Sequence, residues 1–266
     1  MKIAVNGVHI HLRDCGVGEP TLVFLHYWGG SSRTWDEVVA LLSDRHRCIS
    51  LDHRGWGQSD APAAGYGIAD LANDAEGVIS AMALRRFVLV GHSMGGKTAQ
   101  LIASRRVPGL VGLVLIAPSP PTPTILSSEE RDQMMHAYDT AESVAFVRDH
   151  ILTASPLTES QKERVIQDSL RGGHAAKLGW IETAMREDLR TEARKIEVPT
   201  LVLSGDQDRV DPPARLRAEL MPHIAGAELR TLAGLGHLSM LEAPDAVAQA
   251  IREFISGLPV LGSTDL

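Results

Sequence analysis

Between Arg86 and Arg106 a short apolar run, a serine framed by glycines and a helix-forming stretch follow one another, and few folds accommodate that order. Phe87-Val88-Leu89-Val90 is wholly apolar and ends at Gly91, the pattern of a strand buried on both faces in a parallel sheet. Thr98 to Arg106 carries good helix formers, an apolar face and two closing arginines, which suit a helix C-terminus. Ser93 therefore falls on a sharp strand-to-helix turn, inside Gly91-His92-Ser93-Met94-Gly95, a G-x-S-x-G. Such a turn strains the serine backbone so that its hydroxyl stands clear, and the flanking glycines are needed because no Cβ fits there. The Met94 N–H, at the helix start, is expected to face the place where negative charge would develop on a reacting carbonyl. The competing reading of this turn is a serine that merely caps the helix.

The chain has 266 residues, enough for one large domain or a core carrying an insertion. Hydrophobic residues make up 44% and charged residues 22%, the balance of an ordinary globular protein. A net charge of −7 without any basic run argues against nucleic acid as a partner. Two cysteines, Cys15 and Cys48, are too few for a disulfide framework. His9 and His11 share one face of a predicted strand but lack a third ligand nearby in sequence, so no metal is expected. The N-terminus opens without an apolar leader and no run reaches membrane-spanning length, so a cytoplasmic location without membrane attachment is expected. Oligomeric state leaves no signal in the sequence.

Periodicity divides the chain in three. Residues 1–121 hold a hairpin (Lys2–Val5 and Val8–Arg13 around Asn6-Gly7) and predicted strands at Thr21–Leu25, Cys48–Leu51, Phe87–Val90 and Leu110–Ile116. Helices are predicted at Trp35–Leu42, capped by Thr34, and at Ile68–Ala83. Residues 122–197 contain only helical stretches, at Ser128–Tyr138, Ala141–Leu152, Glu159–Arg171 and Ala175–Arg186. Strand patterning returns in residues 198–266, at Thr200–Gly205 and Glu228–Leu232, before a helix from Pro244 to Ile255 and a loosely held tail from Gly257.

On these residues the chain resembles the α/β-hydrolase superfamily, within its serine carboxylesterase and cofactor-free haloperoxidase-like branch. Gly91-His92-Ser93-Met94-Gly95-Gly96-Lys97-Thr98-Ala99 looks most like carboxylesterases, and His26-x-Trp28 is similar to the haloperoxidase-like members. The resemblance implies an α/β fold with a mostly parallel eight-stranded sheet flanked by helices, and a helical lid formed by residues 122–197 over Ser93. It also implies a nucleophile, acid and histidine in that chain order. Of the histidines after Ser93, His136, His150 and His174 lie in the lid and His223 at a helix end. His237 alone sits in a glycine-flanked loop after the last strand, where a parallel sheet delivers residues to its carboxyl edge.

Asp206, Asp208 and Asp211 compete for the acid, and the family pattern Gly-x-x-Asp points to Asp208. Asp206 reads as a turn cap, and Asp211, before Pro212-Pro213, as a helix entry. Alignment to the family makes Trp28 the second oxyanion N–H donor beside Met94, with Tyr27 standing where the family commonly has glycine. The segment Asp52-His53-Arg54-Gly55-Trp56-Gly57-Gln58-Ser59 resembles the family's D-x-R-G-x-G-x-S loop, in which Asp52 and Arg54 are expected to pair. Tyr27 and the lid residues Met134, Tyr138, Trp180, Ile181 and Met185 are the expected substrate contacts.

The implied activity is hydrolysis of small to medium carboxylic esters through an acyl-enzyme, with no metal or organic cofactor. Lactone or carbon–carbon bond hydrolysis and haloperoxidase-like perhydrolysis use the same residues, and a ligand receptor on the same fold is the alternative of another class. Serine at the turn disfavours relatives that act through aspartate there, the dehalogenases and epoxide hydrolases.

Overall fold

The computed structural model describes residues 1–259; the expected tail beyond Pro259 lies outside them. Eight strands form one sheet: β1 (Lys2–Val5), β2 (Val8–Cys15), β3 (Thr21–Leu25), β4 (Cys48–Leu51), β5 (Phe87–His92), β6 (Leu110–Ile116), β7 (Thr200–Gly205) and β8 (Glu228–Leu232). Their spatial order is β1-β2-β4-β3-β5-β6-β7-β8, with β1 and β2 antiparallel and every pairing from β4 to β8 parallel. All residues of β3, β4, β5 and β7 are buried, as expected of largely apolar central parallel strands. Each buried Val or Leu contributes roughly 1.5–3 kcal/mol relative to an exposed one.

From β3 the chain runs to β4 on one side and then returns to β5 on the other. The sheet therefore reverses its winding between β3 and β5, and a crevice opens at their carboxyl ends. The helices of the core are α1 (Asp36–Leu42), α2 (Ile68–Ala81) and α3 (Met94–Ser104). Between β6 and β7 every element is helical: α4 (Ser128–His136), α5 (Ala141–Val147) running into a π-helical turn at Arg148–Leu152, α6 (Glu159–Arg171), α7 (His174–Glu182) and α8 (Arg190–Ala193). After β7 come α9 (Pro213–Glu219), α10 (Ser239–Glu242) and α11 (Pro244–Ser256). No helix among the described residues is long and apolar enough to cross a membrane.

Several local expectations are corrected. Ser31, not Thr34, caps the first helical turn, a 3-10 turn at Ser32–Trp35, and Thr34 completes a capping box with it. Arg54 does not pair with Asp52. Its guanidinium makes a two-pronged bond to Asp74 on α2, at 2.6 and 2.7 Å, and donates to the Gly65 carbonyl. Asp52 instead accepts from the Ser32 and Gln58 N–H groups and pairs with His11 Nδ1 at 2.8 Å. The loop is tied down at both residues, at Asp52 by its own Gln58 N–H together with Ser32 and His11, and at Arg54 by Asp74 on α2. His9 pairs with Asp60, so the two strand histidines serve separate carboxylates, and no group of three metal-ligating side chains exists among the described residues. Leu258, in the expected loose tail, is buried.

Candidate active site

Ser93 has φ 52° and ψ −113°, a conformation that costs roughly 1–3 kcal/mol and persists only where the surroundings enforce it. Three backbone bonds do so: Ser93 N–H to the Ile116 carbonyl, and Ser119 and Lys97 N–H to the Ser93 carbonyl, at 3.0–3.2 Å. A Cβ at Gly91 would stand 2.5 Å from the Gly95 carbonyl oxygen, and one at Gly95 would collide with the Leu25 carbonyl. Both glycines are therefore required by close backbone approach. The Ser93 side chain makes no capping bond to α3, so its hydroxyl is left for the cavity that Ser93 lines.

His237 follows β8 and also lines that cavity. Its Nδ1 lies 3.0 and 3.2 Å from the two carboxylate oxygens of Asp208, which follows β7. Asp208 Oδ1 is further fixed by the N–H groups of Val210 at 2.8 Å and Asp211 at 3.1 Å. In neutral His237 the proton then sits on Nδ1, and Nε2 keeps the lone pair a base needs. Burial disfavours the imidazolium, but the Asp208 charge outweighs it and raises the His237 pKa above 6.5. Burial likewise opposes ionisation of Asp208, yet the His237 charge and the two N–H bonds win and hold it below its ordinary value. Among the described residues no direct hydrogen bond joins Ser93 Oγ to His237, an arrangement common before substrate binds.

Trp28 sits just past the carboxyl end of β3 and Met94 at the first position of α3, on either side of the crevice. Neither backbone N–H has an acceptor among the described residues. The loop around Trp28 is held by its other groups: Tyr138 Oη donates to the Trp28 carbonyl at 3.0 Å, Ser169 Oγ to the Gly29 carbonyl at 2.9 Å, and Trp28 Nε1 to the Lys177 carbonyl at 3.3 Å. The Trp28 and Tyr138 rings stack with centroids 4.2 Å apart. Next door, His26 Nε2 accepts from the His53 N–H at 3.0 Å, so its proton is on Nδ1, which donates to the Tyr27 carbonyl at 2.7 Å. Burial lowers the His26 pKa, in keeping with that neutral form. Tyr27, the residue in place of glycine, puts its ring 5.1 Å from that of His92.

The cavity, about 1240 Å³, lies between this crevice and the helical insertion. Tyr27, Trp28, Met134, Tyr138, Trp180 and Met185 all line it. Ile181 does not; it is buried in the apolar core, turned away from the wall. Sequence reasoning missed Phe146, Ile151, Asp211 and Arg215 on the wall; Asp211 is at the helix entry it expected, and faces the cavity as well. Pro212 is the residue that precedes α9, and Asp211, just before it, is buried beside the cavity. His92 was missed as well: its Nε2–H donates to the His237 carbonyl at 2.9 Å, tying the turn to the histidine loop. No spacing rule pairs residues 92 and 237.

Lys97, one turn after Ser93 on α3, is wholly buried and donates to the carbonyls of Thr122 and Met185, at 3.2 and 3.1 Å. It joins two points of the insertion, its start and Met185, to α3. Burial, opposed by the Glu187 charge, lowers its pKa from 10.5 to about 8. A folded value below the unfolded one means the unfolded chain binds the extra proton between those values, so this lysine's burial penalty is relieved as pH rises from 8 to 10.5. The unfolding free energy of the wild type relative to Lys97→Met should rise by on the order of 3 kcal/mol between pH 7 and 10.5. Urea melts at both pH values check this, and a difference that does not change with pH contradicts it.

A model of the alpha/beta hydrolase family matches residues 22–250. The AB hydrolase superfamily protein YisY of Bacillus subtilis is 31% identical, over 93% of this chain and 95% of its own. The non-heme haloperoxidase of Rhodococcus erythropolis is 29% identical over 95% and 97%. A 2-hydroxy-6-oxononadienedioate/2-hydroxy-6-oxononatrienedioate hydrolase of Escherichia coli is 28% identical over 94% and 91%. Among solved structures, an esterase from Exiguobacterium antarcticum superposes with TM-score 0.87 at 25% identity, covering 96% of this chain and 98% of that one. The enol-lactonase from Burkholderia xenovorans gives 0.83 at 28%, covering 96% and 100%.

Proposed function

The chain belongs to the alpha/beta hydrolase family, and from that premise we propose that it cleaves small to medium carboxylic esters through an acyl intermediate on Ser93. The coarser statement, an α/β-hydrolase-fold enzyme acting on small organic substrates, rests on the family and its relatives. The observation that supports an acyl intermediate on Ser93 is the conjunction in one cavity of a strained serine with an uncommitted hydroxyl and a histidine bonded to a buried aspartate; an ester is the simplest substrate for it, and the same residues serve lactone and carbon–carbon cleavage.

In this reading His237 Nε2 takes the Ser93 proton as Oγ attacks the substrate carbonyl. The Met94 and Trp28 N–H groups receive the oxyanion; each such donor is worth on the order of 100-fold or more in turnover. His237 then protonates the departing alkoxide, and Asp208 stabilises the imidazolium in both directions. Water, activated by the same histidine, releases the acid.

The relatives favour breadth in what leaves. A lactone differs from an ester only in that the alcohol stays attached, and a β-diketone fragment leaves as an enolate carbon instead of an alkoxide. Hydrogen peroxide in place of water would give a peracid, the reaction that fits the haloperoxidase named among the relatives. Initial rates on an aryl ester, an enol lactone and a β-diketone, each with and without peroxide, test the assignment. The ester reading predicts the largest kcat/KM on the aryl ester or a simple alkyl ester. A β-diketone rate exceeding both by tenfold would transfer the assignment to carbon–carbon cleavage.

A further inference from the structure

The cavity lining is of two kinds. The insertion supplies most of the apolar lining, with Met134, Phe146, Val147, Ile151 and Trp180, beside the polar Glu130, Gln133, His136 and Ser143. The linker after β6, the segment leading into α9 and α9 itself supply Ser119, Thr124, Asp211, Arg215 and Glu219.

Arg215 is held in place on three sides. Its Nε donates to Glu219 Oε2 at 3.2 Å, Nη1 to Asp211 Oδ1 at 3.0 Å and Nη2 to Thr124 Oγ1 at 2.8 Å. Glu219 Oε2 is itself anchored by Thr122 Oγ1 at 2.6 Å. A guanidinium has five N–H groups, so two remain beyond these bonds. Asp211 is only 2% exposed, and among the described residues nothing donates to its second oxygen, Oδ2. Oδ2 is not sealed in the interior: its residue lines the cavity, so what enters the cavity can donate to it. The backbone of Asp211 is fixed too, through its N–H on Asp208.

We propose that Asp211 and Arg215 form a specificity subsite for a neutral hydroxyl on the substrate, which donates to Asp211 Oδ2 and accepts from a free Arg215 N–H. A group that both donates and accepts satisfies the two residues at once; a plain methylene leaves both unpaired, and a carboxylate satisfies only the arginine when Asp211 is ionised, as it is at pH 8 and above. With Asp211 ionised, three carboxylates, Glu130, Asp211 and Glu219, line the cavity against two guanidiniums, Arg209 and Arg215, and His136, whose Asp139 partner favours its charged form, so an added carboxylate is disfavoured most at pH 8 and above. Burial raises the Asp211 pKa to about 7, and the protonated form also bonds a hydroxyl, as donor. The apolar lining takes the hydrocarbon part. The substrate class is thus a hydroxylated, otherwise apolar acyl ester. This deepens the ester reading and rests on it.

The test compares p-nitrophenyl hexanoate with its 3-hydroxy and 6-hydroxy analogues and with the mono-p-nitrophenyl ester of hexanedioic acid. At about pH 8.5, where Asp211 is ionised, at least one hydroxy ester should exceed hexanoate in kcat/KM by about 10-fold or more, and the carboxylated ester should fall below it. In Asp211→Leu the hydroxy-to-plain ratio should collapse to about one whatever the absolute rate, whereas Asp211→Asn, which can still accept, should keep most of it. A wild-type ratio near one, or a ratio unchanged in Asp211→Leu, overturns the subsite. The same ratio read from dissociation constants of the matching methyl esters on Ser93→Ala, by calorimetry, tests the subsite without turnover. Failure of every ester to react with the wild type therefore counts against the ester reading alone.

Discussion

Ser93→Ala is expected to lower kcat on an aryl ester by about 10⁴- to 10⁶-fold, because nucleophile and base act as a unit and removing either forfeits most of their joint effect. The fold should survive. The lost hydroxyl makes no cap to α3, so its removal leaves no buried partner without a bond. Ser93→Gly makes a sharper companion. Glycine accepts φ 52° and ψ −113° without a Cβ clash, so this variant should be as inactive as alanine yet more stable than the wild type, by about 1 kcal/mol. Chemical denaturation of the three proteins checks the stability order. A Ser93→Gly protein less stable than Ser93→Ala would mean that the turn is not strained as the dihedrals indicate.

Asp208→Asn should cost about 10³- to 10⁴-fold in kcat/KM, since an amide favours the wrong imidazole tautomer. Rescue by Asp211 is not expected: its Oδ1 is engaged by Arg215 and its N–H points at Asp208. The pH profile separates this account from simple misfolding. His237 must be neutral to act as base, and its pKa lies above 6.5 because Asp208 outweighs burial. The acid limb of wild-type kcat/KM should therefore have its midpoint above 6.5. In Asp208→Asn burial acts without that charge, so the limb should move to lower pH while the plateau drops. The stability sign follows from the same pair. Raised His237 stabilises the fold at low pH and loses that contribution as pH rises through its folded pKa; lowered Asp208 does so at higher pH and loses it as pH falls through its own. Urea melts across pH 3–9 should show a weaker acid-side decline in the variant. An acid limb that stays in place after the substitution reassigns the titrating group.

What the sequence disclosed follows from how local each feature is. The turn at Ser93 was legible because its causes lie within a few residues: an apolar strand, two glycines whose absent Cβ atoms clear backbone, and a helix that starts at once. The placement of His237 after the last strand was legible because a parallel sheet brings strand ends to one edge. The pairing of Arg54 was not, since neighbours in a motif do not determine which carboxylate lies opposite, and Asp74 reaches it only from the buried face of α2. Asp211 was read correctly as the entry to α9, since two prolines suit a helix start, but its burial beside the cavity was not legible, because burial depends on tertiary neighbours that no local spacing names. In the insertion, helical spacing identified apolar faces but not which neighbour each face meets. Trp180 and Met185 turned to the cavity and Ile181, next to Trp180, to the core.

Covalent capture of the acyl-acceptor oxygen is the most direct measurement. Folded protein treated with a fluorophosphonate and read by intact mass should gain one phosphonyl adduct, with peptide mapping placing it on Ser93 and Ser93→Ala gaining none. Unmodified Ser93 in folded protein, or an adduct that persists in Ser93→Ala, would contradict the account.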